Sequence, residues 1–206
     1  MRLSRLVVVA CLLMPVGLAC AAGPWEVVQD DQGLVVKKDG KLVTHYLVKS
    51  GNKPILWPVI GPTGKEMTRA YPMRMVEGEK KDHVHQRSLW FTHGSVNGFS
   101  FWEEVNPKTP PGEQKHRQFD KQAGGEQATI VSRTDWLGDG KKVLEDERTI
   151  VIRDEGDSRV LDYKVVLTAE EQARLAAIFP NGVCDWSKPG VNQVALKGTY
   201  LRLPFN

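Results

Sequence analysis

From Trp25 to about Ala169, short runs of apolar and β-branched residues alternate with clusters of turn residues. A period of two with frequent turns, and without helical patterns between the runs, indicates the strands of a sandwich or barrel. Asp39-Gly40 and the triplet Gly138-Asp139-Gly140 separate pairs of such runs, and dipeptides of this kind are strong hairpin signals. The pattern therefore predicts an all-β fold, an antiparallel β-sandwich.

The predicted strands follow the apolar runs. They cover residues 25–29, 34–38, 41–48, 54–60, 88–93, 99–103, 127–136, 143–153 and 159–167. In the run 143–153 the predicted inward residues are Val143, Thr149 and Val151. For the last run two phases stay open, and the inward set is either Val160 and Asp162 or Leu161, Tyr163, Val165 and Leu167. The acidic run 145–147 is interpreted as a solvated edge whose charges oppose aggregation.

The pattern changes near Thr168. Thr168 and Glu171 form a capping box, and Leu175 and Ile178 have helical spacing, so residues 168–178 predict a short helix. Beyond it the chain is irregular. The predicted organisation is thus a signal peptide at 1–22, a sandwich domain at 23–169 and a helical and irregular C-terminal tail at 170–206.

The N-terminus has the pattern of a secretory signal peptide. Arg2 and Arg5 precede an apolar run, and small residues follow it around Ala21. The run is too short and broken for a stable membrane span, and no other stretch is suited to one. Export to the periplasm or the medium is the expectation, and lipidation at Cys20 is the alternative. Cys184 is then the one cysteine left, and it is interpreted as a structural thiol.

The net charge of the chain argues against one class of partner, nucleic acid. The 206 residues carry a net charge of +3, but two of the 28 Lys and Arg and none of the 25 Asp and Glu lie in the predicted signal, which leaves +1. A near-neutral mature chain gives no electrostatic reason to expect nucleic acid as a partner. The sequence says nothing of the oligomeric state.

Candidate chemistry concentrates in the segment 82–87, with the sequence Asp-His-Val-His-Gln-Arg. In an extended strand His83, His85 and Arg87 share one face. Paired imidazoles donate hydrogen bonds to hydroxyl groups, shuttle protons or, with a third ligand, bind a divalent metal. Two histidines on a surface strand are also often merely solvated, so spacing alone leaves the choice open.

Aromatic residues follow the histidines closely. They are Trp90, Phe91, Phe99, Phe101 and Trp102. Some are expected in the sandwich core, but an aromatic wall beside polar donors is also what a sugar site requires. One carboxylate of Glu103-Glu104 is a further candidate to face the pocket.

The string from Lys53 to Gly64, the segment Thr68 to Pro72 and the segment Asp82 to Trp102 together resemble the PmoA-like family of exported bacterial proteins, named "methane oxygenase PmoA". The resemblance spans roughly residues 25–169. It implies a fold of the galactose-mutarotase-like superfamily and a small-molecule carbohydrate as partner. A true methane oxygenase activity is not expected, because that enzyme is a membrane assembly.

By the same resemblance His83, His85 and Arg87 are the candidate catalytic residues, and His93, Asn97, Trp90 and Trp102 are candidates to bind substrate. In that superfamily a histidine typically protonates the ring oxygen and a later carboxylate acts as base. The chain departs from the family at Gln86, where a further histidine is usual, and its β pattern ends early. The sandwich is therefore expected to be incomplete. The tail around 179–191 resembles that of secreted esterase-like proteins.

Three hypotheses stay open. The first is an exported carbohydrate-binding or carbohydrate-active protein that needs no cofactor, with a mutarotase-like isomerase, lyase or hydrolase activity if it is an enzyme. The second is a module that binds a divalent metal through His83 and His85, with His93 as the candidate third ligand. The third is a truncated domain without catalysis.

Overall fold

The computed structural model describes residues 23–105, 108–169 and 194–195. They form nine β-strands, and no helix of these residues has the length and apolar character that a membrane crossing requires. In chain order the strands are β1 Trp25–Gln29, β2 Gly33–Lys38, β3 Lys41–Ser50, β4 Lys53–Val59, β5 Glu113–Ala123, β6 Ala128–Gly138, β7 Lys141–Glu155, β8 Ser158–Ala169 and β9 Val194–Ala195.

Two antiparallel sheets pack against each other. One has the order β1-β2-β3-β4, and the other has the order β5-β6-β7-β8-β9. The principal core contains buried side chains of both sheets, among them Leu34 and Tyr46 from the first and Ile130 and Ile150 from the second. The predicted all-β sandwich is therefore confirmed for the described residues.

A second core cluster lies at one end of the larger sheet. Trp136 and Leu144 of this sheet pack there with Val96 and Phe101, which belong to the long connection 60–112 between β4 and β5. This connection replaces the first sheet as the cover of that end. It also carries all seven predicted site residues, so core packing helps to fix the position of the candidate site.

The hairpin predictions hold. Asp39 and Gly40 join β2 to β3, and Asp139 and Gly140 join β6 to β7, all four with φ between +49° and +72°. Positive φ at both central residues is what a two-residue hairpin of right-handed twist requires. The strand β5 was not predicted, because its charged sequence shows no clear alternation.

The predictions of strands at 88–93 and 99–103 are wrong. These residues form only isolated bridges, such as Leu56 with Leu89 and Val96 with Phe99. Their aromatic side chains suit a strand and suit equally a loop that covers a core. Thr168 lies in β8, paired with Glu145, so no helix begins there. Cys184, residues 1–22 and the rest of the predicted helix lie outside the described residues.

The inward phase predicted for β7 is also wrong. The buried residues of this strand are Leu144, Asp146, Arg148, Ile150 and Ile152. Val143, Thr149 and Val151 are only partly buried. Two charges on the inner face concealed the true alternation, because charged residues are rarely buried unless they are paired. For β8 the phase with Leu161 and Tyr163 inward is the one observed.

Asp146 and Arg148 are paired within the sandwich. Both side chains are fully buried. The guanidinium donates from Nε to Oδ1 at 2.8 Å and from Nη2 to Oδ2 at 2.8 Å. The indole Nε1 of Trp136 donates to the same carboxylate at 2.6 Å. The acidic run 145–147 is therefore not a solvated edge throughout, since its central residue supports a buried ion pair.

This pair is connected to the long connection by hydrogen bonds. Arg148 Nη2 donates to Oε1 of Gln114 at 2.9 Å, and Gln114 Nε2 donates to Oγ1 of Thr92 at 2.9 Å. Thr92 Oγ1 in turn donates to the carbonyl of Phe101 at 2.8 Å. The covering loop is thus held to the larger sheet by polar as well as apolar contacts.

The change Asp146→Asn is expected to lower the free energy of unfolding by about 3–5 kcal/mol, because it leaves a buried guanidinium without its counter-charge. Glu145→Gln is the control, since the Glu145 side chain is only partly buried and pairs with Arg117 and Lys142 outside the core, so its loss should cost at most about 1 kcal/mol. Urea unfolding of the two variants measures both values. Equal losses would contradict the role assigned to the buried pair.

A second prediction concerns His116 on β5. Burial, together with the nearby Arg148 guanidinium, lowers the pKa of His116 to about 4. The unfolded chain then binds more protons between about pH 4 and 6.5, so stability falls as the pH drops through that window. Between pH 6.5 and 4 the free energy of unfolding should therefore decrease less in His116→Gln than in the wild-type protein, by up to about 3 kcal/mol. Lys115→Gln, at an exposed position of the same strand, should show the same pH-dependent decrease as the wild-type protein.

Candidate functional site

The candidate site belongs to the long connection and is attached to the edge of the smaller sheet. Leu56 of β4 and Leu89 exchange backbone hydrogen bonds of 2.8 and 3.4 Å. Ser88 Oγ donates to the carbonyl of Leu56 at 2.7 Å and lies 2.7 Å from Oγ1 of Thr68. These contacts fix the segment just after the histidines to a regular strand.

Residues 83–86 form a turn, so the segment 82–87 does not have the extended conformation in which its alternate side chains would share one face. The backbone N–H of Gln86 donates to the carbonyl of His83 at 2.8 Å, and His83 has a φ of 45°. Positive φ in a residue other than glycine is uncommon and is often found at functional sites. The turn still brings the histidines together, with 5.6 Å between the ring centroids of His83 and His85.

Two tryptophans continue this surface. The ring of Trp102 lies 6.3 Å from that of His85 and 4.7 Å from that of Trp90, the latter in an edge-to-face arrangement. Trp102 is 42% exposed, whereas Phe101 beside it is fully buried in the core. We call the rings of His83, His85, Trp90 and Trp102 the aromatic platform.

Arg87 does not point to an open ligand position. Its Nε and Nη2 donate to the two carboxylate oxygens of Glu104, the Nη2 bond being 2.8 Å, and its Nη1 lies 3.3 Å from Oγ of Ser50. Of the two adjacent glutamates, Glu104 is thus the one engaged in this pair. Arg87 therefore connects the turn 82–87 to Glu104 and to the end of β3.

Gly51 makes room for this ion pair. A Cβ atom at this position would lie 2.6 Å from Nε of Arg87 and closer still to the carboxylate of Glu104, and its φ is +63°. Both the space and the backbone conformation therefore require glycine.

Lys53 was not predicted and lies beneath the platform. It begins the apolar run of β4 and is fully buried. Its Nζ donates to Oδ1 of Asn52 at 2.8 Å, lies 3.3 Å from the carbonyl oxygen of Trp102, and is 4.8 Å from the ring centroid of Trp90. The run beginning Lys-Pro-Ile-Leu-Trp gave no sign that its lysine turns inward.

Burial shifts the acid–base properties of the cluster. It lowers the pKa of Lys53 to about 8, while the nearby Glu104 carboxylate raises that pKa and the Arg87 guanidinium lowers it. Partial burial, and then the Lys53 charge, also lower the pKa of His85. His85 is therefore neutral at pH 7 and offers one hydrogen-bond donor and one acceptor. The ring nitrogens of His83 and His85 form no hydrogen bond with the residues that the structure describes.

His93 and Asn97 have separate local roles. Nδ1 of His93 lies 3.0 Å from the carbonyl oxygen of Ser95, and burial lowers the pKa of His93. Asn97 and Gly98 are the central residues of a tight turn in which Val96 and Phe99 exchange backbone hydrogen bonds of 3.0 and 2.9 Å. Within residues 23–105, 108–169 and 194–195 no three His, Cys, Asp or Glu side chains are arranged to hold a metal ion.

Two surface clefts lie near these elements. Glu104 lines one of about 340 Å³ together with Gly51, Asn52 and Gly112. The larger, about 670 Å³, lies between the turn after β1 and the strand β5, and contains none of the predicted site residues. Neither of these two clefts is lined by a ring of the aromatic platform.

One family model matches the chain over residues 33–177, and it is described as a family of unknown function (DUF6807). The matched region contains the whole platform, Lys53 and the Arg87–Glu104 pair. Neither the curated proteins nor the solved structures include a match to the chain.

The change Gly51→Ala tests how the site is assembled. We expect it to destabilise the protein and to shift the NMR signals of Trp102 and His85, because its Cβ displaces the Arg87–Glu104 pair. Gly140→Ala is the matched control, since Gly140 has a similar φ of +71° and open space around it. It should lower the free energy of unfolding only by the cost of placing alanine in the left-handed conformation, about 1–2 kcal/mol. The NMR signals of Trp102 and His85 should stay unchanged.

Proposed function

Since the chain belongs to DUF6807, a family without an assigned function, we propose its function from the site itself: the protein binds a carbohydrate on the aromatic platform. The observation that carries this proposal is the exposed Trp102 ring with the His85 imidazole beside it and the His83 imidazole next to that of His85, neither imidazole being hydrogen-bonded to described residues. Sugars present apolar C–H faces and hydroxyl groups side by side, and this surface offers a partner for each.

The geometry suggests how such a ligand is held. One face of a pyranose ring packs on Trp102, which Trp90 supports from behind with an edge-to-face contact of 4.7 Å. Neutral His85 then donates to one hydroxyl and accepts from another, because a hydroxyl group has both capacities. His83, 5.6 Å away, extends the polar edge of the same surface.

Arg87 has a positioning role in this proposal. Its guanidinium is engaged by Glu104 and Ser50, so it holds the turn with the histidines and does not contact the sugar. If the protein is also an enzyme, His83 or His85 is the group placed to move a proton. The resemblance to the PmoA-like family, which implies a mutarotase-like fold, supports a sugar ligand, and the predicted signal peptide would place this binding outside the cytoplasm.

The change Trp102→Ala is expected to weaken binding of the best ligand from a panel of mono- and oligosaccharides about tenfold or more, a loss of ~1.4 kcal/mol. His85→Ala should weaken it similarly, and isothermal titration calorimetry measures both. Met75→Ala is the control, because Met75 is an apolar residue of the same connection whose surface is 66% exposed. Unchanged affinity in both site variants would contradict the proposed binding surface.

Metal binding is the competing function. The short separation of His83 and His85 favours it, but two imidazoles need a third ligand. Titration with Zn²⁺ and Cu²⁺ of the protein and of the His83→Ala variant separates the two functions. Tight metal binding that requires His83, together with no binding to any sugar, would favour the metal.

A further inference from the structure

Lys53 occupies an unusual position for a lysine. Its side chain is fully buried, at the first residue of an apolar strand and behind the two tryptophans. Its Nζ contacts Trp90 through the ring face and Trp102 through the carbonyl oxygen, at 4.8 and 3.3 Å respectively. One ammonium group therefore touches both indole-bearing residues of the platform.

The burial of this amine disfavours its charged form. The carboxylate that acts on Lys53, that of Glu104, is already engaged by Arg87 through two hydrogen bonds, so it compensates the Lys53 charge only in part. A methionine would fill a similar volume without desolvating a charge. Buried amines that are kept in spite of this penalty are found preferentially at functional sites.

We propose that Lys53 is the positioning residue of the carbohydrate platform: its ammonium fixes Trp90 by a cation–π contact and Trp102 by a hydrogen bond to the main chain. This inference rests on the proposed function for the identity of the ligand. It does not depend on that function for the arrangement of the rings, which can be measured without any ligand.

The platform then responds to pH. The charged and titratable groups that act on Lys53 are Glu104, Arg87 and His85. With its pKa lowered to about 8, Lys53 loses its proton just above neutral pH. The cation–π contact is then lost and the hydrogen bond to Trp102 is no longer charge-assisted. Trp102 should become looser and the surface should bind its ligand less well.

The first test uses tryptophan fluorescence of the full chain without ligand. Acrylamide quenching is measured from pH 6 to 10 for the wild-type protein and for Trp102→Phe. The difference isolates Trp102, and we expect its accessibility to rise with a midpoint near pH 8. Lys53→Arg should remove this transition, because guanidinium keeps its charge throughout the range. Lys53→Met should show the loosened state at every pH.

Lys49→Met is the control, since Lys49 is a nearby lysine of β3 that is 69% exposed and paired with Glu113. It should retain the wild-type transition. A pH-independent Trp102 signal in the wild-type protein, or a transition near pH 8 that persists in Lys53→Arg, would overturn the proposal. The measurement on the wild-type protein tests the proposal even if the Lys53→Met variant does not fold.

The second test separates this inference from the proposed function. Affinity for the best sugar of the panel is measured at pH 6.5 and 9.5, and it should fall several-fold at the higher pH in the wild-type protein but not in Lys53→Arg. If no sugar binds while the fluorescence transition is present, the proposed function fails and the positioning role stands. If sugar binds equally at both pH values and no transition is seen, the positioning role fails alone.

Discussion

The buried ion pair between Asp146 and Arg148 is the constraint on which the remainder of the structure depends. It lies on the inner face of the larger sheet, between the apolar cluster shared by the two sheets and the one covered by the long connection. A charged pair in this place is stable only with further hydrogen bonds around it. Trp136 and Gln114 supply two of them, and these contacts favour the observed registers of β5 against β6 and of β6 against β7.

The same requirement extends to the candidate site. The side-chain oxygen of Gln114 accepts a hydrogen bond from Nη2 of Arg148, and its amide nitrogen donates to Thr92. Thr92 holds the carbonyl of Phe101, while Lys53 holds the carbonyl of the next residue, Trp102. The platform thus belongs to a loop that has little secondary structure of its own. Besides the core packing of Phe101 and the backbone bonds of Leu89, two adjacent carbonyl groups of this loop are held from different sheets.

Sequence reasoning predicted the all-β fold correctly for identifiable reasons, whereas the site at residues 82–102 stays a prediction. Alternation and the two Asp-Gly turns were sufficient for most strands, because these signals depend only on local geometry. The inward phase of β7 was missed, since Asp146 and Arg148 are compatible with burial only through a pairing that the pattern does not show. The proximity of His83 and His85 was expected from a strand and is produced by a turn. Lys53 was missed because nothing local distinguishes a buried amine from a solvated one.

The attachment of Phe101 and Trp102 to opposite sheets has a mechanical consequence. Phe101 is connected through Thr92 and Gln114 to the larger sheet, and Trp102 is connected through Lys53 to the smaller one. A small sliding of one sheet over the other would pull these neighbouring peptide groups apart and tilt the exposed indole. The proposed binding surface is therefore coupled to the packing of the whole sandwich, so a cavity-forming substitution deep in the core should also change the orientation of the Trp102 ring.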